Sequence, residues 1–280
     1  MPSTLLPFTL FAALVAGQVC DLQFDARVPA DLGVAGFDDV NDVFSNANVL
    51  GAGLQFSQVI QLPNVGQALF DVDNTVAVEV TINDDSIFNG QTAFRRAELL
   101  PASNNGNDDS TVGIKSIHFS VMKSDARPLN LSHEYQLAFL ETADFSANQF
   151  VLKTGTILGQ NTADPDTLQI FGNTNSNLLL FSAPFTAGVF HNFALTLDFD
   201  ALTTRVFYSQ GNAALKSMGQ VLVNDVSGRG QFHFGVLKKP VNPGADITKE
   251  GDQPAGIDEG IIFGSIFQED TIVGCISLSA

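Results

Sequence analysis

Short stretches of alternating apolar and polar residues, each ended by glycine, proline, asparagine or aspartate, recur along this chain and constrain its fold most. The clearest stretches are Leu54–Leu62, Val76–Ile82, Ile114–Met122, Glu134–Leu140, Asn192–Phe199, Arg205–Gln210 and Gln231–Leu237. A period of two residues is typical of a β-strand with one buried face. Many short strands at regular spacing predict an all-β fold, a β-jelly-roll sandwich of two antiparallel sheets with a concave cleft on one of them.

Charge limits the partners of the chain. The 280 residues carry 30 acidic side chains against 13 basic ones, a formal net charge of -17. Nucleic acids and anionic membrane surfaces are both bound through lysine and arginine, so this balance argues against either partner. We expect a monomer that binds a neutral ligand.

The amino terminus has the pattern of a secretory signal peptide. An apolar run from Leu5 to Val15 is followed by small residues, and Val15 and Gly17 suit the −3 and −1 positions of a cleavage site. We therefore expect a signal peptide over residues 1–17 and a single β-jelly-roll domain over residues 18–280. This organisation predicts a secreted, extracellular protein.

Two further features agree with secretion. Cys20 and Cys275 are the two cysteines of the chain and stand at opposite ends of the mature domain. In an oxidising compartment they would form a disulfide that joins the termini. The sequence Asn130-Leu131-Ser132 is a glycosylation sequon, which predicts an exposed glycan at Asn130.

Polar residues interrupt the apolar run Ala93–Ala102, "AFRRAELLPA". Successive side chains of a strand point to opposite faces. Arg96 and Glu98 therefore share the face predicted to form the cleft, whereas Arg95 is directed with the small apolar residues toward the core. The sequence does not identify a partner for Arg95.

Two other strands would add polar groups to the same cleft. Alternation places Gln231 and His233 on one face of their strand, and Glu134 and Gln136 on one face of theirs. Glu141 falls on the face opposite Glu134, but it stands at a strand end, where alternation often fails. Glu134 is thus the preferred second carboxylate and Glu141 the alternative. Two carboxyl groups of different protonation are what glycoside hydrolysis requires.

Longer blocks of sequence resemble glycoside hydrolase family 131, and together they span Leu22 to Ser277. They are Phe94–Pro101, Pro128–Phe139, Asn148–Gly155, His191–Asp200, Gly228–Pro240 and Glu259–Asp270. The resemblance implies a secreted fungal β-glucanase with a β-jelly-roll fold that cleaves β-1,3, β-1,6 and β-1,4 glucans, with inversion at the anomeric carbon.

The resemblance also implies roles for individual residues. It places the key catalytic glutamate at Glu98, a second glutamate in the region that covers Glu134 and Glu141, and the cleft histidine at His233. Phe56 and Phe190 stand where relatives carry tryptophan, and the chain has no tryptophan at all. Phenylalanine has a smaller stacking surface and no N–H donor, so a different affinity or substrate subclass is expected.

The remaining candidates concern substrate contacts and ions. Arg96, Gln136, Gln231 and Lys238 are the predicted substrate-binding residues. We expect no cofactor and no metal site from the histidines, which lack ligand spacing. The loop Asn104–Ser110, "NNGNDDS", is a weak candidate for structural calcium because it is rich in oxygen donors.

Two alternative functions stay open at this point. A non-catalytic β-glucan-binding protein of the cell wall would explain the missing tryptophan. A polysaccharide lyase would use Arg96, Lys238 and Lys239 to neutralise a uronate, although the strong negative charge of the chain opposes a polyanionic substrate.

Overall fold

The chain folds into antiparallel β-sheets with little helix. The computed structural model describes residues 20–39, 41–45 and 49–280. One short α-helix covers Phe56–Val59, and 3-10 turns cover Ala35–Phe37 and Asp109–Thr111. Within the described ranges the strands are β1 Leu22–Asp25, β2 Val28–Pro29, β3 Ile60–Gln61, β4 Thr75–Val76, β5 Val78–Asn83, β6 Arg95–Leu99, β7 Ile114–Lys123, β8 Glu134–Glu141, β9 Asn148–Gly155, β10 Thr167–Phe171, β11 Leu179–Pro184, β12 His191–Asp198, β13 Thr203–Gln210, β14 Lys216–Ser217, β15 Leu222–Val223, β16 Gln231–Lys238 and β17 Asp258–Asp270.

Two large sheets form a sandwich. The first has the order β14-β13-β12-β7-β17-β5-β3, with β1 paired to β17 and β15 paired to β13. The second has the order β11-β10-β9-β8-β16-β6, and β2 and β4 form a small separate pair. Every strand pair is antiparallel, which confirms the predicted jelly-roll sandwich.

Phenylalanine side chains from both sheets fill the space between them. Phe234 of β16 lies 5.7 Å from Phe119 of β7 and 6.3 Å from Phe263 of β17, measured between ring centroids. All three rings are buried. Since aromatic rings bury large areas of apolar surface, these contacts hold the second sheet against the first.

One predicted strand is wrong. The alternating stretch Leu54–Leu62 begins with the α-helix Phe56–Val59 and continues as the short strand Ile60–Gln61. The backbone N–H of Gln55 donates to the side-chain oxygen of Gln58, 2.8 Å away, and this bond closes a local turn. Phe56 and Val59 are both buried. A short apolar run cannot separate a strand from one helical turn by its period alone.

A β-bulge in β8 changes which residues face the core. The register between β8 and β9 shifts between Gln136 and Ala138. Leu137 and Ala138 therefore both belong to the main core, and Leu140 joins them, whereas Phe139 lies in a separate cluster on the outer face. An uninterrupted alternation from Tyr135 would direct Phe139 inward and Leu140 outward, and the structure shows the opposite because the bulge inserts one residue into the alternation.

The termini of the described chain are joined covalently. Cys20 and Cys275 form a disulfide with their Cα atoms 5.6 Å apart, as predicted. The predicted signal peptide over residues 1–17 lies outside the described residues. Among the residues that the structure describes, no helix is long and apolar enough to cross a membrane.

Candidate active site

A cavity of about 450 Å³ opens on the outer face of the second sheet. Its polar floor comes from strands β6, β16 and β8, which are neighbours in that sheet. The lining residues are Val49, Phe88, Asn89, Gln91, Arg96, Leu100, Glu141, Phe145, Gln231 and His233. Arg96 and His233, predicted to share this cleft, do so.

Glu98 lies under the floor of the cavity and is completely buried. Nε and Nη2 of Arg96 donate to its Oε1 and Oε2, each over 2.7 Å. Nδ1 of His233 lies 2.7 Å from the same Oε2. The imidazole also stacks on Phe139, with ring centroids 4.5 Å apart. The contact with Glu98 and this stacking together fix the orientation of the His233 ring.

These contacts set the charge of Glu98. Burial alone would raise the pKa of the carboxyl, but the Arg96 guanidinium and the hydrogen bonds from His233 and Arg96 outweigh it and hold that pKa below its ordinary value. Glu98 is therefore the ionised carboxylate of the site.

Glu141 supplies the second carboxylate of the cavity. Its Oε2 lies 3.5 Å from Nε2 of His233, and 26% of its side chain is exposed. Burial raises the pKa of Glu141, and the nearby negative charge of Glu98 adds to the rise, whereas His233 and Arg96 oppose it. The imidazole of His233 thus separates a carboxylate of lowered pKa from a carboxyl of raised pKa.

Glu134, the preferred second carboxylate of the sequence analysis, does not lie in this cavity. It begins β8, whereas Glu141 ends that strand, so the two are about 20 Å apart at the usual rise per residue. Lys239 lies 2.7 Å and Lys153 3.2 Å from Oε1 of Glu134. Although burial opposes it, these two ammonium groups keep the pKa of Glu134 below its ordinary value. The preference for Glu134 over Glu141 is not supported, because it extended the alternation across the bulge in β8.

The two predicted glutamines differ in position. Gln231 lines the cavity, and its amide donates to the backbone oxygen of Asn104 over 3.0 Å. Gln136 is buried on the outer face, where Asn148 donates to its side-chain oxygen over 3.3 Å, and it does not line the cavity. The structure brings Gln231, but not Gln136, to the cavity that holds Arg96, His233 and Glu141.

Lys238 points away from the cavity. Its ammonium lies between the sheets, 2.6 Å from Oε1 of Glu259 on β17, and the residue is completely buried. The hydroxyl of Tyr135 donates to the other oxygen of Glu259 over 2.6 Å. Burial lowers the pKa of Lys238 and raises that of Tyr135. The predicted contact of Lys238 with substrate is not supported, because residues at even positions of β16 face the other sheet.

Arg95, whose partner the sequence left open, stands at the start of β6 and is half-buried. Its Nη1 donates to the backbone oxygens of Thr92 and Phe94, each over 2.8 Å. The charges of Asp84 and Asp85 also act on it. Two backbone oxygens and the charges of two loop carboxylates therefore hold this arginine at the start of β6.

The asparagine-rich loop uses its oxygens internally. Asp108 accepts hydrogen bonds from the backbone N–H groups of Asn105 and Ser110, each over 2.7 Å, and Asn104 accepts from that of Phe232 over 2.6 Å. Within residues 20–39, 41–45 and 49–280, no group of three or more histidine, cysteine, aspartate or glutamate side chains could hold a metal ion. Calcium in this loop stays a prediction.

Sequence reasoning missed the upper wall of the cavity. Phe88 contacts the Arg96 guanidinium with its ring, 5.4 Å from the centroid, and Gln91 accepts a hydrogen bond from Arg96 over 3.2 Å. Both residues stand in the loop before β6, where no alternation assigns a direction. Only their nearness in sequence to Arg96 could have indicated them.

Comparison with known proteins gives the same assignment. Residues 22–274 match the family model described as the glycoside hydrolase 131 catalytic N-terminal domain. The chain belongs to glycoside hydrolase family 131. It is a glycoside hydrolase, and the expectation drawn from its sequence blocks is confirmed.

Two solved structures of this family share the fold. One is a GH131 β-glucanase catalytic domain from Podospora anserina, with a TM-score of 0.68 and 22% identity over 89% of this chain and 93% of that one. The other is the catalytic domain of a family 131 protein from Coprinopsis cinerea, with a TM-score of 0.68 and 20% identity over 93% of this chain and 98% of that one. A search of curated proteins found no match.

Proposed function

We propose that this family 131 protein is a secreted, monomeric hydrolase of β-glucans that inverts the anomeric carbon, with Glu141 as general acid and Glu98 as general base. One observation carries the proposal. A buried ionised carboxylate under the cavity floor and a partly exposed carboxyl of raised pKa in the cavity contact the two ring nitrogens of His233.

The spacing of the two carboxyl groups supports inversion. His233 contacts Glu98 through Nδ1 and Glu141 through Nε2, so a full imidazole ring and two contacts of 2.7 and 3.5 Å lie between them. Inverting enzymes keep their carboxyl groups about 6.5–9.5 Å apart to admit a water, whereas retaining enzymes use about 5–5.5 Å. The two carboxyl groups here are separated by one imidazole ring and two contacts, which fits the wider spacing of inverting enzymes.

The two environments separate acid from base. The raised pKa of Glu141 makes it the more readily protonated of the two carboxyl groups, and it reaches the cavity, so it can donate a proton to the leaving oxygen. Glu98 is held ionised and can accept the proton of an attacking water. An ionised carboxylate has about four acceptor positions. Arg96 and His233 fill three of them, which leaves one position on Oε1. Because Glu98 is completely buried, the attacking water must pass below the cavity floor to reach that position.

Two observations support a β-glucan as the substrate. The Podospora anserina relative is described as a β-glucanase. A net charge of -17 also suits a neutral polysaccharide better than an acidic one. The linkages we propose are β-1,3, β-1,6 and β-1,4.

The arrangement of cations argues against a lyase. Both nitrogens of Arg96 that face Glu98 are committed to its carboxylate, and Lys238 is buried against Glu259. Lys239 is paired with the buried carboxylate of Glu134. None of the three cations is free to neutralise a uronate. A protein that only binds glucan would have no need of two carboxyl groups with opposite pKa shifts.

The disulfide and the exposed sequon support the proposed secretion. Disulfides persist in oxidising compartments, and the Cys20–Cys275 pair is formed. Asn130 is exposed, as a glycan would require. We propose that residues 1–17 are a signal peptide and that residues 18–280 form one secreted domain.

The proposal is tested by product analysis on defined β-1,3, β-1,6 and β-1,4 glucans. Wild-type protein should release reducing ends from at least one of them, and proton NMR of early products should show the α-anomer. Glu98→Gln and Glu141→Gln should each lower kcat about 10²–10⁴-fold while the folded state persists. Initial release of the β-anomer would overturn inversion, and full activity of either variant would overturn the assigned roles.

A further inference from the structure

An exposed aromatic side chain stands beside the general acid. Phe145 is 75% exposed, and among the described residues it is the one aromatic in the set of strongly exposed large hydrophobics. The chain contains 24 phenylalanines, so this exposure is an exception within it. A single exposed aromatic ring at the rim of a polar cavity is a typical platform for the apolar face of a sugar.

The backbone holds Phe145 in a conformation that phenylalanine disfavours. Its φ is +60°, in the left-handed region that suits glycine or asparagine. A turn that served only to connect β8 to β9 would fold more easily with one of those residues. Strain of this kind persists where the surrounding structure fixes it, and it concentrates at functional sites.

The surrounding turn does fix it. The backbone N–H of Phe145 donates to the oxygen of Thr142 over 2.9 Å. Asp144 accepts from the hydroxyls of Thr142 and Ser146, over 2.8 and 2.7 Å, and from the N–H of Ser146. The backbone that carries the ring is thus held in one conformation before substrate arrives, which reduces the ordering cost of binding.

Phe145 stands at the junction of two cavities. The cavity of about 450 Å³ holds His233 and Arg96, and a second cavity of about 180 Å³ lies against the Asn105–Asn107 loop. Three side chains line both cavities: Glu141, Phe145 and Gln231. The general acid of the proposed reaction is therefore placed between two spaces.

This placement gives each space a role. The sugar whose anomeric carbon is attacked must lie in the larger cavity, over His233 and next to Glu141. The leaving sugar must lie on the other side of Glu141, in the smaller cavity, which neither Arg96 nor His233 lines.

We propose that Phe145 stacks on the leaving-group sugar and holds it next to Glu141 in the smaller cavity. The inference rests on the proposed roles of Glu98 and Glu141. It makes Phe145 a substrate-positioning residue, and it explains how a chain without tryptophan binds a sugar. Phe56 and Phe190, which replace expected tryptophans, are buried and line neither of these two cavities.

The first test compares two substrates. One is a β-glucan oligosaccharide that the wild-type enzyme cleaves, and the other is the matching oligosaccharyl β-fluoride, whose leaving group is too small to reach Phe145. Phe145→Ala should lower kcat/KM for the oligosaccharide roughly tenfold, mainly through KM, and leave the fluoride nearly unchanged. Equal losses on both substrates, or no loss on the oligosaccharide, would overturn the proposal.

The second test uses the absence of tryptophan. In an inactive Glu98→Gln background, Phe145→Trp introduces a single fluorescent reporter at the site. Titration with the oligosaccharide should shift its emission, whereas Val223→Trp, a matched reporter at an exposed position of β15, should show no shift. An unchanged emission at Phe145→Trp under saturating oligosaccharide would count against stacking.

A third variant separates binding from folding. Phe145→Gly relieves the backbone strain, so it should raise the melting temperature while it weakens oligosaccharide cleavage as Phe145→Ala does. Loss of stability in Phe145→Gly would show that the ring supports the fold instead. If wild-type protein cleaves neither substrate, the proposed hydrolysis fails, and the fluorescence titration still decides whether Phe145 binds sugar.

Discussion

Arg96 and Glu98 stand two residues apart on one strand and form a buried two-pronged ion pair, with both nitrogen–oxygen distances at 2.7 Å. Side chains at this spacing share a face of the strand, so the local sequence already brings them together. The pair has a functional consequence, because the guanidinium keeps the carboxylate ionised in a place where burial would protonate it.

The pH dependence of activity should therefore follow Arg96. The proposed mechanism requires Glu98 ionised and Glu141 protonated, so activity should fall below the pKa of Glu98 and above that of Glu141. Arg96 lowers both of these pKa values. Arg96→Gln should consequently move both limbs of the kcat profile to higher pH, measured by initial rates across a pH series.

Two further variants make this result specific. Arg205→Gln changes an exposed arginine on β13, remote from the cavity, and should leave the profile unchanged. Arg96→Lys keeps the positive charge and provides a second measurement if Arg96→Gln does not fold. Its pH profile should lie between those of the wild type and Arg96→Gln. If both limbs of the pH profile keep their wild-type positions in Arg96→Gln and in Arg96→Lys, then Arg96 does not control the pKa values of Glu98 and Glu141.

Acid should also weaken the fold through Glu98. Its folded pKa lies below the unfolded value, so its contribution to the free energy of unfolding is present above the unfolded pKa and is lost as pH falls through the folded one.

Alternation along single strands was enough to find half of the site. It placed Arg96 and Glu98 together on β6, and it placed Gln231 and His233 together on β16, because neither segment contains a bulge at those residues. The overall sandwich also followed from alternation, since the interior needs one apolar face per strand.

Glu134→Gln and Glu141→Gln form a matched pair of carboxyl variants on one strand. Glu141→Gln removes the proposed acid and should lower kcat about 10²–10⁴-fold. Glu134→Gln leaves two lysines without their counter-charge, so it should lower the free energy of unfolding while kcat per folded molecule stays close to wild type. Rates and urea unfolding curves measure the two effects. A reversed pattern would restore Glu134 as the second carboxylate.

The sequence could not decide between these two glutamates, because the answer depends on the bulge between Gln136 and Ala138. The bulge adds one residue and transfers every later side chain of β8 to the other face. Nothing in the composition of this stretch distinguishes a bulged strand from a regular one. Only the pairing with β9 and β16 shows it.

Lys238 was misassigned for a different reason. Its direction follows the regular alternation of β16, but its environment depends on Glu259, a residue of the other sheet. Lys238→Met should lower the free energy of unfolding by about 3–5 kcal/mol, because it leaves a buried carboxylate without its counter-charge. Lys238→Met combined with Glu259→Gln should recover part of this loss. KM should stay at the wild-type value in the folded fraction, and a raised KM would indicate that Lys238 does contact substrate.

The disulfide should contribute strongly to stability. It joins positions 255 residues apart, and the chain-entropy treatment gives about 5 kcal/mol as an upper figure for a loop of this length. The double variant Cys20→Ser/Cys275→Ser should therefore unfold at lower urea concentration than the wild type. Wild-type protein unfolded in the presence of a reductant should match the variant. Coincident curves for the oxidised wild type and the variant would show that the cross-link adds nothing.

Gly235 should be as sensitive as the catalytic groups, because it lies directly opposite Glu98 in the β16–β6 pair. A Cβ atom at this position would meet the backbone oxygen of Ala97 at 2.1 Å and Cα of Glu98 at 2.7 Å. Gly235→Ala must push β6 away from β16, and the hydrogen bond between His233 and Glu98 bridges these same two strands. We expect a lower melting temperature together with a lower kcat at every pH.

Gly66→Ala is the matched control, because a Cβ there would meet nothing within 4 Å, and it should change neither quantity. Full activity of Gly235→Ala would mean that the spacing of β6 and β16 does not control the site.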